Sequence, residues 1–243
     1  MIISHSRRFI FIKTKKTASS SMEVALGKYC SEEDVITPLP EEEENYRKQH
    51  YAYGARNYHP PVTKWKVRDF LRLLKGKRVG FYNHMADKRC QEYLPDYVWK
   101  GYYKFCFERN PFEKVISYIY FRHAQELDAD GGSNVNAFVT DRLLKTVKRG
   151  GYGLYTSNGK VIVDRIYRYE DLEDALKDLA ERLGLPEIPV LPRMKSSFRK
   201  NRKPWHEVLE PQNIKRIRDC FSWELEQFYP EILEYLEKIE EVA

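Results

Sequence analysis

Apolar residues along this chain switch between two periods. Short, nearly continuous apolar runs at 9–14, 78–83, 102–108 and 161–169 read as strands. Elsewhere apolar residues return every three to four positions, which predicts helices over 20–29, 62–74, 111–125, 134–148, 171–183, 211–228 and 230–239. Some of these carry their own boundary signals. Asn110 precedes Pro111 at a first helical position, and Gly150-Gly151 follows the helix before it. Strands that alternate with helices predict an α/β fold, a central parallel sheet flanked by helices. With 243 residues and no break in composition, a single domain spanning 1–243 is the expectation.

Two stretches interrupt the alternation. Residues 31–61 turn polar, with Pro38, Pro40, four glutamates from Glu41 to Glu44 and Pro60-Pro61. They read as a long loop insertion whose glutamate run is solvated. Its second half, Tyr51-Ala52-Tyr53-Gly54-Ala55-Arg56-Asn57-Tyr58-His59, suits a substrate wall better than a solvated loop, because aromatics and amides cluster there. The second stretch, 186–210, is a basic and proline-rich loop.

Charge narrows the class of ligand. The net charge is +6, yet Lys and Arg alternate with Asp and Glu along most of the chain. This favours a small anionic ligand or an acidic acceptor over a nucleic-acid coat. No window reaches the 18 or more apolar residues of a membrane span, and no long apolar signal core opens the chain. A soluble, cytoplasmic protein is expected. Cys30, Cys90, Cys106 and Cys220 are scattered without metal-ligand spacing and read as buried thiols, and no metal is required.

The candidate chemistry begins where the first apolar run ends. Phe9-Ile10-Phe11-Ile12 is followed by Lys13-Thr14-Lys15-Lys16-Thr17-Ala18-Ser19-Ser20-Ser21 and then a helix. A helix start offers unpaired N–H groups and the positive end of a dipole, so lysines and hydroxyls placed there suit an anion. The loop has no glycine, unlike the GxxxxGK[ST] pattern of triphosphate-binding loops. A second segment places Arg109 at a strand end and Ser117 about two turns into the next helix. A guanidinium and a hydroxyl so spaced can hold one phosphate between them. Phe112, Val115, Ile116, Ile119 and Tyr120 on that helix are expected to face the sheet.

Together these segments resemble the sulfotransferases that use 3′-phosphoadenylyl sulfate (PAPS). Lys16-Thr17-Ala18-Ser19-Ser20-Ser21 is similar to their KTxxTS-type loop, in style nearest the carbohydrate enzymes of the heparan 2-O type. The segment 105–121 resembles the RxPxxRxxSxY-like stretch that binds the 3′-phosphate, with Lys114 where a basic residue is common. Tyr167-Arg168-Tyr169-Glu170-Asp171-Leu172 resembles the RYEDL stretch, in which Asp171 is expected to cap a helix.

The resemblance implies a P-loop-like sheet and transfer of a sulfuryl group from PAPS to an acceptor hydroxyl, in this style a carbohydrate, releasing adenosine 3′,5′-bisphosphate. Lys16, Thr17, Ala18, Ser19, Ser20 and Ser21 would hold the 5′-phosphosulfate, while Arg109 and Ser117 would hold the 3′-phosphate. Lys16 would stabilise the leaving oxygen, with Lys13 and Lys15 as competitors. His84, after the run at 78–83, would be the base, although Asn83-His84-Met85 departs from the family's HGH pattern by one residue. In the late basic loop, Lys195, Arg199 and Lys200 would supplement the 3′-phosphate clamp or receive an acidic acceptor. Two other readings stay open: a P-loop-type nucleotide kinase or NTPase, with Thr17 on magnesium, and a non-catalytic polyanion-binding module. No specific nucleic acid is expected as a partner, and the acceptor and the oligomeric state are open at this point.

Overall fold

The computed structural model describes residues 1–51, 53–129, 135–192, 194 and 203–242. Strands β1 (Ile2–Ser4), β2 (Phe9–Phe11), β3 (Val35–Ile36), β4 (Tyr103–Glu108) and β7 (Arg165–Arg168) form a sheet in the order β3–β1–β2–β4–β7. A small hairpin of β5 (Thr156–Ser157) and β6 (Lys160–Val161) stands apart. β2, β4 and β7 run parallel, with Phe9 beside Tyr103 and Phe105 beside Arg165. β1 is antiparallel to both of its neighbours, so the sheet is mixed where an all-parallel one is predicted.

The helices are α1 (Ser19–Gly27), α2 (Glu41–Tyr51), α3 (Val67–Leu74), α4 (Asp87–Tyr93), α5 (Asp96–Gly101), α6 (Pro111–Arg122), α7 (Ala124–Ala129), α8 (Asp141–Arg149), α9 (Tyr152–Tyr155), α10 (Leu172–Arg182), α11 (Trp205–Val208), α12 (Pro211–Cys220), α13 (Ser222–Phe228) and α14 (Pro230–Val242). None among the described residues is long and apolar enough to cross a membrane.

Strand alternation sorts the core into faces. Phe9, Phe11, Phe105 and Phe107 point one way and pack with Met22 and Leu26 of α1 and Leu176 and Leu179 of α10. Ile10, Ile12 and Cys106 point the other way, against Cys90 and Tyr93 of α4, Val98 and Trp99 of α5, and Tyr155 of α9. Burying side chains of this size is worth about 1.5–3 kcal/mol each, which makes the double-sided sheet the rigid base for the loops at its ends. Cys90 and Cys106 are buried, Cys30 and Cys220 are partly exposed, and all four are free thiols.

Several expectations need correction. Phe112, Val115, Ile116, Ile119 and Tyr120 of α6 do not cover the sheet; they join Leu144, Val147, Trp205, Ile217, Phe221 and Leu225 in a separate helical cluster. The run at 78–83 is not a sheet strand: Val79 and Phe81 are buried in the core, and Phe81 donates its N–H to the Tyr58 oxygen at 2.7 Å. Residues 31–61 hold β3 and α2, and the glutamates form the first turn of α2, where a helix favours negative charge. Glu43 is buried in that turn, and Glu44 accepts from the main-chain N–H groups of Leu39 (3.1 Å) and Ala55 (2.8 Å).

Candidate functional site

The chain leaves β2 and turns into α1 through a tightly held loop. Ile12 donates its N–H to the Phe105 oxygen at 2.9 Å, continuing the parallel ladder, and Lys15 donates to the Gly150 oxygen at 2.7 Å. The Thr14 hydroxyl donates to the Phe107 oxygen at 2.5 Å and lies 2.9 Å from the Thr17 hydroxyl, all buried. Lys16 and Ala18 then adopt left-handed φ values of 64° and 50° on either side of Thr17. Neither is glycine, so each costs about 1–2 kcal/mol relative to ordinary backbone. Left-handed residues alternating with ordinary ones are the backbone pattern of an anion nest, in which successive amide N–H groups can converge. Ala18 at the N-cap makes no side-chain cap, and the first helical bond runs from the Met22 N–H to the Ala18 oxygen at 3.0 Å. The amides of Ser19, Ser20 and Ser21 therefore lie ahead of the helix's own bonding.

The nest opens into a cleft of about 880 Å³. Lys16, Ala18, Ser19, Ser20, Ser21, His84, Arg109 and Ser117 all line it, so segments up to a hundred residues apart meet there. Thr17 does not: its side chain is buried beneath the loop against Thr14. Arg199, Lys200 and Lys195 lie outside the described residues. The late loop nonetheless reaches the cleft through Leu191, Pro192 and Met194.

The three loop lysines have separate surroundings. Lys13 is buried, with Nζ 2.9 Å from Glu23 and donating to Asn83 Oδ1 at 3.3 Å. Glu23 is equally buried and has Arg47 at 3.7 Å. Burial alone would raise this carboxyl, but the Lys13 ammonium and the Met1 amine beside it bring it down to about 2. Lys15 lays its stem over Gly150, where a Cβ would fall 2.6 Å from Lys15 Cδ. Lys16 places its ammonium 4.4 Å from the ring centre of Phe121 on α6, the helix that also carries Ser117.

His84 follows Asn83, which is pinned by donating to the Pro38 oxygen and accepting from the Thr37 hydroxyl. Its Nδ1 lies 2.9 Å from the Lys13 oxygen. A carbonyl only accepts, so Nδ1 carries the proton and Nε2 carries the lone pair. Burial and the Lys13 ammonium push this imidazole down from 6.5 to about 3, so it is neutral at physiological pH.

Across the cleft, α6 begins with the expected cap: Asn110 Oδ1 accepts from the Phe112 N–H at 3.0 Å, with Pro111 in the first turn. The Arg109 guanidinium stacks 4.8 Å from the ring centre of Tyr169 and lies 3.4 Å from Glu113. Arg109 Nε and the Tyr120 hydroxyl are buried and hydrogen-bond to no described residue. Such orphaned groups cost about 1–3 kcal/mol each unless a ligand or water satisfies them. Lys114 turns away from the cleft into a buried pair with Glu108, to which the Tyr155 hydroxyl also donates at 2.9 Å. Asp171 occupies the N-cap of α10 without a side-chain cap bond and pairs instead with Arg168 at 3.2 Å.

Sequence reasoning does not single out Glu113, Tyr118, Phe121, Arg122 or Tyr169, all of which line the cleft. A signal exists for part of this set: Phe121 falls four residues from Ser117 and shares its helix face. Of the wall expected at 51–59, Tyr53 is structural, donating to the Val24 oxygen and lying over Gly27. Tyr58 and His59 do line a space, a side cavity of about 450 Å³ that shares Pro40 and Asn83 with the main cleft. Its walls include Arg72, Arg78 and Tyr82. No metal-holding group of three or more His, Cys, Asp or Glu occurs among the described residues.

Comparison with known proteins adds a partial relationship. No family model and no solved structure matches this chain. An uncharacterized protein of Archaeoglobus fulgidus is 36% identical over 94 residues, 37% of this chain and 74% of that protein. The chain belongs to the same family as that archaeal protein, whose description names no activity.

Proposed function

We propose that this protein is a sulfotransferase that moves a sulfuryl group from PAPS to an acceptor hydroxyl, with a carbohydrate as the acceptor class. The reading is supported above all by the convergence on one cleft of the 16–21 loop, Arg109, Ser117 and a neutral His84. The strand, nest and helix are P-loop-like in form, without the glycines of a triphosphate loop. The cleft volume lies within the roughly 300–1,000 Å³ common for small-molecule sites. Arg109, on the cleft wall and stacked on Tyr169, offers a held guanidinium to an anionic ligand.

In this reading PAPS supplies a sulfuryl group already activated by its phosphate leaving group. The nest amides and the hydroxyls of Ser19, Ser20 and Ser21 hold the 5′ end, and Arg109 with Ser117 holds the 3′-phosphate. Lys16 stabilises charge as it gathers on the departing phosphate oxygen. His84 Nε2 takes the acceptor proton while the acceptor oxygen bonds to sulfur and the sulfur–phosphate oxygen bond breaks. Bound anionic charge offsets the field of Lys13 and Lys15 and raises the basicity of His84 when it is needed. The side cavity beyond Asn83, with Arg72, Arg78 and Tyr82, is where a polar acceptor is placed.

A nucleotide kinase or NTPase is less well supported. Glu108, the carboxylate at the end of β4, is turned into Lys114 and Tyr155 and does not line the cleft. The test is transfer of sulfur-35 from labelled PAPS to a pool of carbohydrate acceptors. Label on an acceptor supports the proposal. No transfer, together with a melting point raised by ATP and magnesium but not by adenosine 3′,5′-bisphosphate, overturns it.

A further inference from the structure

The segment from Val62 to Arg78 turns the usual surface helix inside out. α3 is held to the body by its polar side: Asp69 is its one buried residue. The Asp69 carboxylate accepts from the Lys66 N–H at 2.9 Å, from Arg89 at 2.9 Å and from the Tyr93 hydroxyl at 2.8 Å. The apolar stripe at helical spacing faces outward instead. Val67 is 77% exposed, Phe70 46%, Leu71 53% and Leu74 83%. A stripe of this kind normally turns to the core, and a contiguous exposed one marks an interaction surface.

Charge identifies the surface it meets. Between Val62 and Arg78 there are seven basic residues and one acidic residue, the buried Asp69. Lys64, Lys66, Lys75, Lys77 and Arg78 are exposed around the apolar stripe, and Arg68 pairs with Glu92. We propose that this segment docks the protein on an anionic phospholipid surface, with Phe70, Leu71 and Leu74 entering the acyl boundary and the lysines meeting the headgroup phosphates. A second copy fits poorly, because two cationic rims repel and one eight-residue helix, about 12 Å long, falls short of the roughly 800 Å² per partner of a stable interface. A lysine-rich rim is also unlike most protein–protein contacts, where lysine is depleted. Arg72 and Arg78 of the same segment line the side cavity, so docking occurs beside the mouth of the site. The proposal does not depend on the sulfuryl-transfer reading.

Co-sedimentation of the full chain with extruded vesicles tests it, comparing phosphatidylcholine alone with phosphatidylcholine carrying about 30% phosphatidylglycerol. Trp65, whose ring centre lies 5.3 Å from that of Phe70, serves as a fluorescence reporter. Binding to the anionic vesicles at least about tenfold tighter than to the neutral ones is expected. The pair Phe70→Ser and Leu74→Ser, and separately the triple Lys64→Glu, Lys75→Glu and Lys77→Glu, should each weaken it by about tenfold or more with the melting point unchanged. No binding, equal binding to both vesicles, or binding untouched by either variant overturns the proposal. So does a dimer in sedimentation equilibrium that Phe70→Ser and Leu74→Ser dissociate, without lipid binding.

Discussion

His84 donates from Nδ1 to the main-chain oxygen of Lys13 at 2.9 Å, so the residue just beyond β2 fixes which imidazole nitrogen is left to accept a proton. The same residue's ammonium helps to keep the ring neutral. Backbone and side chain of Lys13 thus select one neutral tautomer of one imidazole. His84→Ala is expected to lower turnover by about 10² or more while adenosine 3′,5′-bisphosphate binds as in the wild type. Steady-state rates beside a calorimetric titration check this, and unchanged turnover removes His84 from the mechanism.

The low imidazole pKa has a consequence for stability. Between about 6.5 and about 3 the unfolded chain holds a proton on His84 that the folded chain does not. Stability from this group is complete above 6.5 and falls as pH drops, with a slope of up to about 1.4 kcal/mol per pH unit. The Met1 amine, pushed down to about 5 chiefly by burial, acts in the same direction at the upper end of the range. Urea unfolding measured from about pH 7 to pH 5, above most carboxylate titration, should show a shallower slope for His84→Gln. An identical slope in both proteins would contradict the buried neutral imidazole.

Lys13 and Lys16 separate structure from chemistry. Lys13→Met leaves Glu23 short of its nearest side-chain cation, and breaking a buried pair typically costs about 3–5 kcal/mol, readable in urea unfolding. Lys16→Met, at a half-buried side chain on the cleft wall, should lower turnover by about 10² or more with a smaller loss of stability than Lys13→Met. If Lys13→Met kept full stability and lost only turnover, the leaving oxygen would belong to Lys13.

Much of this arrangement is readable from local pattern. The apolar runs that become β2 and β4 are consecutive and buried on both faces, whereas β7 buries only Tyr167 at the sheet edge; the lysine-hydroxyl loop and Arg109 sit at strand ends where such runs place them. β1 and β3 are only three and two residues long, and neither lies in an apolar run as long as Phe9-Ile10-Phe11-Ile12. The run Val79-Gly80-Phe81 satisfies the same apolar criterion as a strand, but its burial comes from packing against Tyr93 and its neighbours, not from ladder pairing. The prolines at 38 and 40 suggest a loop, although Pro40 accepts the Glu44 N–H at 2.9 Å and so begins α2. Lys114 and Thr17 show the limit for side chains: spacing places them near an anion, while buried partners, Glu108 and Thr14, claim their polar atoms.

The most direct measurement is a calorimetric titration of the full chain with adenosine 3′,5′-bisphosphate, repeated with Arg109→Ala and with ATP and magnesium. Sulfuryl transfer from PAPS requires that the bisphosphate bind one site. Arg109→Ala should weaken it by about tenfold to a hundredfold, in keeping with loss of a charge-assisted phosphate contact. ATP with magnesium should bind more weakly. Absence of bisphosphate binding, or tighter binding of ATP with magnesium that is indifferent to Arg109, would contradict it.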